Sequence, residues 1–180
     1  MQDELEVLRD VISRLDQAGL AYMLTGSLAL DFYAQPRMTR DIDIVVALEP
    51  RHTDLFLKSF ATGYTLYPET VKSAIARRSA FNIIHEGAVM KVDIIVLKDT
   101  EYGRCEFERR QRLKAGKLEI WVVTREDLII SKLLWAKESR SELQMRDVRN
   151  LLAGGCDKGY ITRWVRVLGL GDLWRGLTHE

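Results

Sequence analysis

Leu5, Leu8, Val11, Ile12 and Leu15 recur at helical spacing between Asp3 and Gln17, and Ala18-Gly19 follows as a stop. The pattern predicts an amphipathic first helix. Ala21 to Thr25 is a short strand-like run that ends at Gly26-Ser27, after which Leu28 to Tyr33 take helical spacing until Pro36 intervenes. The sequence thus reads as strand, tight turn, helix. Asp41 to Val46 predicts a second strand, and Pro50 to Phe60 and Pro68 to Arg78 each begin with a helix-starting proline. Ala80 to His85 and Ala88 to Leu97, rich in β-branched residues and separated by Glu86-Gly87, predict a hairpin. A further strand is expected from Leu118 to Val123, after a turn at Gly116-Lys117. Thr124 then stands as an N-cap with Asp127 three positions on, opening a helix that carries Leu128, Ile129, Lys132, Leu133 and Trp135. Beyond Ser141 the chain reads as wholly helical, interrupted at Gly154-Gly155 and Gly169. The expected class is α+β: a small mixed sheet with helices around it, formed by residues 1–123, and a helical segment, 124–180, packed on that core.

Composition narrows the field by exclusion. With 180 residues, 47% hydrophobic and 29% charged, the chain has the make-up of a self-folding globular protein. A formal net charge of +1 leaves no whole-molecule field, so any affinity for phosphate must come from local arrangement. Cys105 and Cys156 lie far apart in sequence and form no CxxC, as expected of inert thiols in a reducing cytoplasm. The acidic start Asp3-Glu4-Leu5-Glu6 does not resemble a signal peptide, and no apolar run approaches the ~20 residues of a membrane span. The expectation is a cytoplasmic protein with no membrane partner. His52, His85 and His179 are scattered without metal-ligand spacing, and no HExxH, GxSxG, Walker A or GxGxxG motif occurs. Zincin, hydrolase, P-loop and dinucleotide chemistries therefore find no support.

What remains is a set of carboxylates. In a strand, Asp41 and Asp43 share one face while Ile42, Ile44 and Val46 share the other. Two like charges this close stay ionised most readily around a divalent cation; the alternative is an edge strand with a solvated acidic face. Asp93 sits within Val92-Asp93-Ile94-Ile95-Val96, where an isolated acid would cost several kcal/mol unless paired or metal-bound. If the two strands are neighbours, three oxygen ligands meet, of the type Mg²⁺ prefers when it also holds substrate phosphates. Gly26-Ser27, at a strand-to-helix turn, offers free backbone N–H groups and a hydroxyl to a phosphate.

The strand ending in Gly26-Ser27, the spacer, Asp41-Ile42-Asp43 on the next strand and the later Asp93 together resemble the DNA polymerase β-like nucleotidyltransferase superfamily over roughly residues 20–97. Further on, Thr124 to Leu134 and Arg146-Asp147-Val148 resemble the Lys and Arg-Asp segments of the AbiEii/AbiGii toxin-like nucleotidyltransferases, and Arg37-Met38-Thr39-Arg40 ahead of the Asp pair also suits that group. The helix after Gly-Ser lacks the Ala-Arg-Gly of the minimal nucleotidyltransferases paired with HEPN partners. The resemblance implies a nucleotidyltransferase fold with a catalytic core in residues 1–123 and transfer of NMP from an NTP to a hydroxyl. It implies two Mg²⁺ ions, or Mn²⁺, on Asp41, Asp43 and Asp93. Asp93 would help take the hydroxyl proton, and the acceptor oxygen would attack the α-phosphate in line as pyrophosphate leaves. Gly26, Ser27, Arg40 and Lys132 would hold the nucleotide, and Asp147 would orient Lys132 or assist catalysis. For Lys132 and Asp147 a surface lysine and a helix–helix ion pair remain the alternative.

The acceptor the resemblance favours is RNA, as at a tRNA 3′ end, ahead of a protein side chain or small molecule, in a toxin–antitoxin or phage-defence setting with a cognate partner. A weakly active or inactive nucleotide-binding module of such a pair is the second reading. The stretch from Arg104 to Lys117 holds Arg104, Arg109, Arg110, Arg112, Lys114 and Lys117 against Glu106 and Glu108. It admits either an RNA-binding strip or a solvated helix and turn. Trp121, Trp135, Trp164 and Trp174 read mainly as packing residues, with base stacking as the alternative.

Overall fold

The architecture was obtained as a computed structural model that describes residues 2–36, 39 and 41–178. The chain opens with α1 (Gln2–Gln17), β1 (Tyr22–Thr25), α2 (Gly26–Leu30) and β2 (Ile42–Val46). A 3₁₀ turn (Pro50–His52) then leads into α3 (Thr53–Ser59), β3 (Tyr64–Thr65), α4 (Pro68–Arg77), β4 (Ala80–His85) and β5 (Met90–Val96). The remainder is α5 (Glu101–Glu108), β6 (Gln111–Ala115), β7 (Leu118–Val122), α6 (Arg125–Ser139), α7 (Glu142–Ala153), α8 (Lys158–Val167) and α9 (Gly171–Thr178). No helix among the described residues is long and apolar enough to cross a membrane.

Seven strands form one mixed sheet in the order β3-β4-β5-β2-β1-β7-β6. The pairs β2–β5 and β1–β7 are parallel and the other neighbours antiparallel. This is the expected α+β class. The alternation in β4 and β5 fixes which face is apolar: Phe81 and Ile83 of β4, and Val92, Ile94 and Val96 of β5, are buried between exposed or half-buried neighbours. Central β1 is buried along its whole length. One apolar core joins these strands to Val7, Leu8, Val11, Ile12 and Leu15 of α1, and continues into Leu128, Ile129 and Leu133 of α6 and Val148 and Leu151 of α7.

Local chemistry accounts for several boundaries. The predicted Thr124 cap is present, its hydroxyl accepting from the Asp127 backbone N–H at 3.3 Å. Ser141 and Asp157 cap α7 and α8 in the same way. The helix after β1 differs from expectation. It begins at Gly26 and ends at Leu30, and the chain then turns through residues 31–33. Tyr33 is spent on this turn, donating its hydroxyl to the Val123 carbonyl at 2.7 Å and so tying it to the end of β7.

One buried acid ties α6 to α8 and to the end of α5. Asp127 is 0% exposed, and its Oδ1 accepts from the Tyr160 hydroxyl of α8 at 2.7 Å. Its Oδ2 accepts from the Thr124 hydroxyl at 2.6 Å and from Arg109 Nε at 3.0 Å. The Arg109 guanidinium in turn lies 3.9 Å from the centre of the Tyr160 ring. Asp127→Ala leaves these donors without their acceptor, and because Arg109 is partly solvated the loss should fall near the lower end for a broken buried pair, about 3 kcal/mol. Urea unfolding of Asp127→Ala and Asp127→Asn checks this, the amide costing roughly half as much because it still accepts hydrogen bonds.

Candidate active site

Strand register lines up a polar row across the sheet. Thr25 of β1 pairs with Asp43 of β2, Asp43 with Asp93 of β5, and Asp93 with Asn82 of β4. Because directly paired residues project to the same face, the two carboxylates are immediate neighbours. Ile42, Ile44, Val92 and Ile94 are buried beneath the opposite face and hold the strands in this register. Asp41 lies one residue before β2 rather than within it, more exposed than Asp43, yet close enough to act on the Asp43 carboxylate.

Asp43 carries the electrostatic strain. Its carboxyl is pushed up to about 6, first by burial and then by the charges of Asp93 and Asp41, while Lys132 and Lys91 pull it back down. Asp93 is not isolated: Lys91 Nζ lies 2.8 Å from Asp93 Oδ2 and reaches Asp41 Oδ1 at 3.6 Å. The sequence expectation that Asp93 needs a cation is met in the fold by Lys91, a residue that sequence reasoning did not single out. Its signal was the spacing Lys91-Val92-Asp93, which in a strand places lysine and aspartate on one face.

Gly26 is required by the same carboxylate. Its φ is +67°, a left-handed conformation that glycine adopts freely, and a Cβ built there would overlap the side chain of Asp43. The backbone at the β1–α2 turn is thereby brought against the acid. Ser27 follows on α2 and is largely buried.

Lys132 and Asp147, predicted from separate segments, meet between α6 and α7. Lys132 is 3% exposed; its Nζ lies 2.8 Å from Asp147 Oδ2 and 3.1 Å from Gln144 Oε1. A buried ammonium is viable on these terms, paired and hydrogen-bonded. Its charge acts on Asp43, pulling that carboxyl back down. Gln144 is a further partner that the sequence did not signal. Arg40 lies outside the described residues.

The basic stretch resolves into the end of α5 and the strand β6, and much of its charge is internally compensated. Arg104 pairs with Asp99, Arg109 with Asp127, and Arg112 and Lys114 with Glu119 at 3.6 and 3.8 Å. The Arg110 guanidinium stacks over Phe107 and Trp121 at 4.1 and 4.9 Å. Of the four tryptophans, Trp164 and Trp174 are buried, Trp121 is half-buried and Trp135 is 55% exposed on α6.

The donor set suits a divalent cation. Two registered carboxylates with a third alongside are hard oxygen donors, and a positive group, the Lys91 ammonium, already bridges two of them. As the side chains stand, no three His, Cys, Asp or Glu among the described residues clasp a metal position, and Lys91 takes the charge-balancing place.

No family model matches this sequence, and none of the curated proteins matches it. Solved structures do share its fold. The solution structure of the antibiotic-resistance factor ANT(2'')-Ia superposes with a TM-score of 0.61 at 12% identity, covering 99% of both chains. A crystal structure of ANT(2")-Ia in complex with adenylyl-2"-tobramycin gives 0.59 at 13% identity, over 95% of this chain and 97% of that one. The lincomycin-bound lincosamide antibiotic adenylyltransferase LnuA gives 0.55 at 17% identity, over 84% and 96%. The fold is therefore that of the nucleotidyltransferases.

Two outcomes test the geometry. Folding pushes the Asp43 carboxyl from its ordinary 3.8 up to about 6, so the folded, metal-free protein binds the proton more tightly. Its stability should fall as pH rises from about 4 to 6, by about 2 kcal/mol from this group. Asp43→Asn should therefore unfold like wild type at pH 4 but be about 2 kcal/mol more stable at pH 7, measured by urea titration in chelator. Gly26→Ala, which combines a left-handed alanine with a clash on Asp43, should lower stability by at least about 2 kcal/mol in the same assay.

Proposed function

We propose that this protein is a metal-dependent nucleotidyltransferase that moves a nucleoside monophosphate from an NTP to an acceptor hydroxyl. The observation that carries the reading is the registered pair Asp43–Asp93, with the Gly26 turn set against Asp43, on a sheet of the nucleotidyltransferase fold. Asp41, Asp43 and Asp93 would hold the divalent ions, Mg²⁺ or Mn²⁺. Ions so placed neutralise triphosphate charge and lower the pKa of a bound hydroxyl. Asp93, beside Asp43 and facing solvent in part, would accept the hydroxyl proton. Gly26 and Ser27 would supply backbone N–H groups to the phosphates, and the resemblance gives Arg40 a part in the same task. Lys132, fixed by Asp147 and Gln144, would supply positive charge to the nucleotide site; the likeness of these segments to AbiEii/AbiGii proteins supports the same roles.

For the acceptor, two supports diverge. The AbiEii/AbiGii resemblance favours an RNA 3′ end and a toxin–antitoxin setting. A small polyhydroxylated acceptor is favoured by the near full-length likeness to adenylyltransferases bound to lincomycin and to adenylylated tobramycin. It is also favoured by the basic stretch, in which Arg104 and Arg109 each pair with a carboxylate and Arg112 and Lys114 share Glu119, leaving less charge for a phosphodiester backbone. We take the small hydroxyl acceptor as the better-supported reading.

Incubation with each α-labelled NTP and Mg²⁺ or Mn²⁺, against aminoglycoside- and lincosamide-type compounds, total RNA and cell lysate, tests both. Label should enter a small molecule, and Asp43→Asn and Asp41→Ala should each reduce incorporation by at least about 100-fold. Label in RNA would establish the polynucleotide acceptor instead. Metal-dependent NTP binding with no transfer to any pool would favour a non-catalytic partner module.

A further inference from the structure

Two lysines act on the carboxylate site, and their surroundings differ. Lys132 is buried and held by both Asp147 and Gln144, so moving its ammonium would strand a buried charge. Lys91 has a 44% exposed side chain, and its described ion-pair partners are Asp93 and Asp41 themselves. It stands two residues before Asp93 on β5, on the same face. Its ammonium bridges a strand residue to the segment that leads into β2, joining two carboxylates that would otherwise repel.

Resting on the reading of Asp41, Asp43 and Asp93 as a cation site, we propose that Lys91 is a displaceable internal counter-ion. Its ammonium balances Asp93 and Asp41 in the metal-free protein and must leave them when a divalent cation enters. An ammonium and a divalent cation compete for the same oxygen lone pairs, so Lys91 weakens binding of the free ion. Being half in solvent, it departs without unpacking the core. A cation that enters with a triphosphate brings anionic oxygens with which the released ammonium can pair, so the exchange favours joint entry of metal and nucleotide over metal alone. The ion pairs of Lys91 are with Asp93 and Asp41, so its departure frees oxygens on both of these carboxylates beside Asp43.

The test is equilibrium binding of Mn²⁺ to the full chain without nucleotide, read from the free-ion paramagnetic resonance signal, for wild type, Lys91→Met, Lys91→Arg and Asp43→Asn. Lys91→Met should bind Mn²⁺ about five- to tenfold more tightly than wild type, the gain expected from removing a partly screened competing charge. Lys91→Arg, which keeps the bridge, should stay within about twofold of wild type. Equal or weaker binding by Lys91→Met overturns the proposal. A second measurement needs no variant: in wild type, acylation of the Lys91 amine, followed by mass spectrometry against Lys117 as reference, should accelerate several-fold when Mn²⁺ saturates the site. An unchanged rate also overturns it. If Asp43→Asn abolishes Mn²⁺ binding while Lys91→Met leaves it unaltered, the counter-ion role alone fails. If Mn²⁺ does not bind, or binds regardless of Asp43, the cation site fails and the counter-ion with it.

Discussion

Asp43 and Asp93 stand opposite each other on neighbouring parallel strands, and the folded chain must hold these two carboxylates side by side on a half-buried surface. With strands about 5 Å apart, their mutual repulsion amounts to roughly 3 kcal/mol at the effective dielectric of a protein surface. The sheet resists it through the other face of the same strands. Ile42 and Ile44 on β2, and Val92 and Ile94 on β5, are all buried, so a slip of one residue would bring aspartates into the core and isoleucines into water. The apolar alternation therefore does more than bury area: it makes the unfavourable pairing of acids the least costly register available.

Positive charge reaches this pair by two routes. Lys91 arrives along the same strand as Asp93 and is partly in solvent, whereas Lys132 arrives from α6 and is buried. The buried route depends on how α6 is anchored. Asp127, one and a half turns before Lys132, binds Thr124 at the helix start, Arg109 at the end of α5 and Tyr160 on α8. At the other side, Asp147 and Gln144 of α7 take up the Lys132 ammonium. The helical segment thus does more than cover the sheet, since its buried polar contacts set where one of the two site cations can be.

Much of this was legible in the sequence because it is local. Helical period and stop signals define α1, alternation defines β5, and the Thr124–Asp127 cap lies within a single turn. The acids of the site were visible because Asp41 and Asp43 are two apart and Asp93 interrupts an apolar run. Less local features were hidden. Strand β6 has two inward apolar positions, Leu113 and Ala115, among basic residues, so it reads as solvated chain until its pairing with β7 is known. Strand β3 is two residues long and has no period to detect. That β5 lies beside β2 is a property of sheet order, which spacing within a strand does not reveal. Lys91 was overlooked for a related reason, since an exposed lysine two residues from an aspartate is ordinary until a third carboxylate on another strand converges on it.

The same distinction bears on what the protein selects. Read along the chain, Arg104 to Lys117 is a run of positive charge, the usual footprint of a polynucleotide-binding surface. In the fold its members point to different tasks: Arg109 satisfies the buried Asp127, Arg110 lies over two aromatic rings, and Arg112 and Lys114 straddle Glu119 across the β6–β7 pair. Phosphodiester binding gains from releasing counter-ions that lysines and arginines displace, and a guanidinium already paired with a carboxylate has less to contribute. The run of charge in the sequence therefore overstates what the fold leaves available to an extended polyanion.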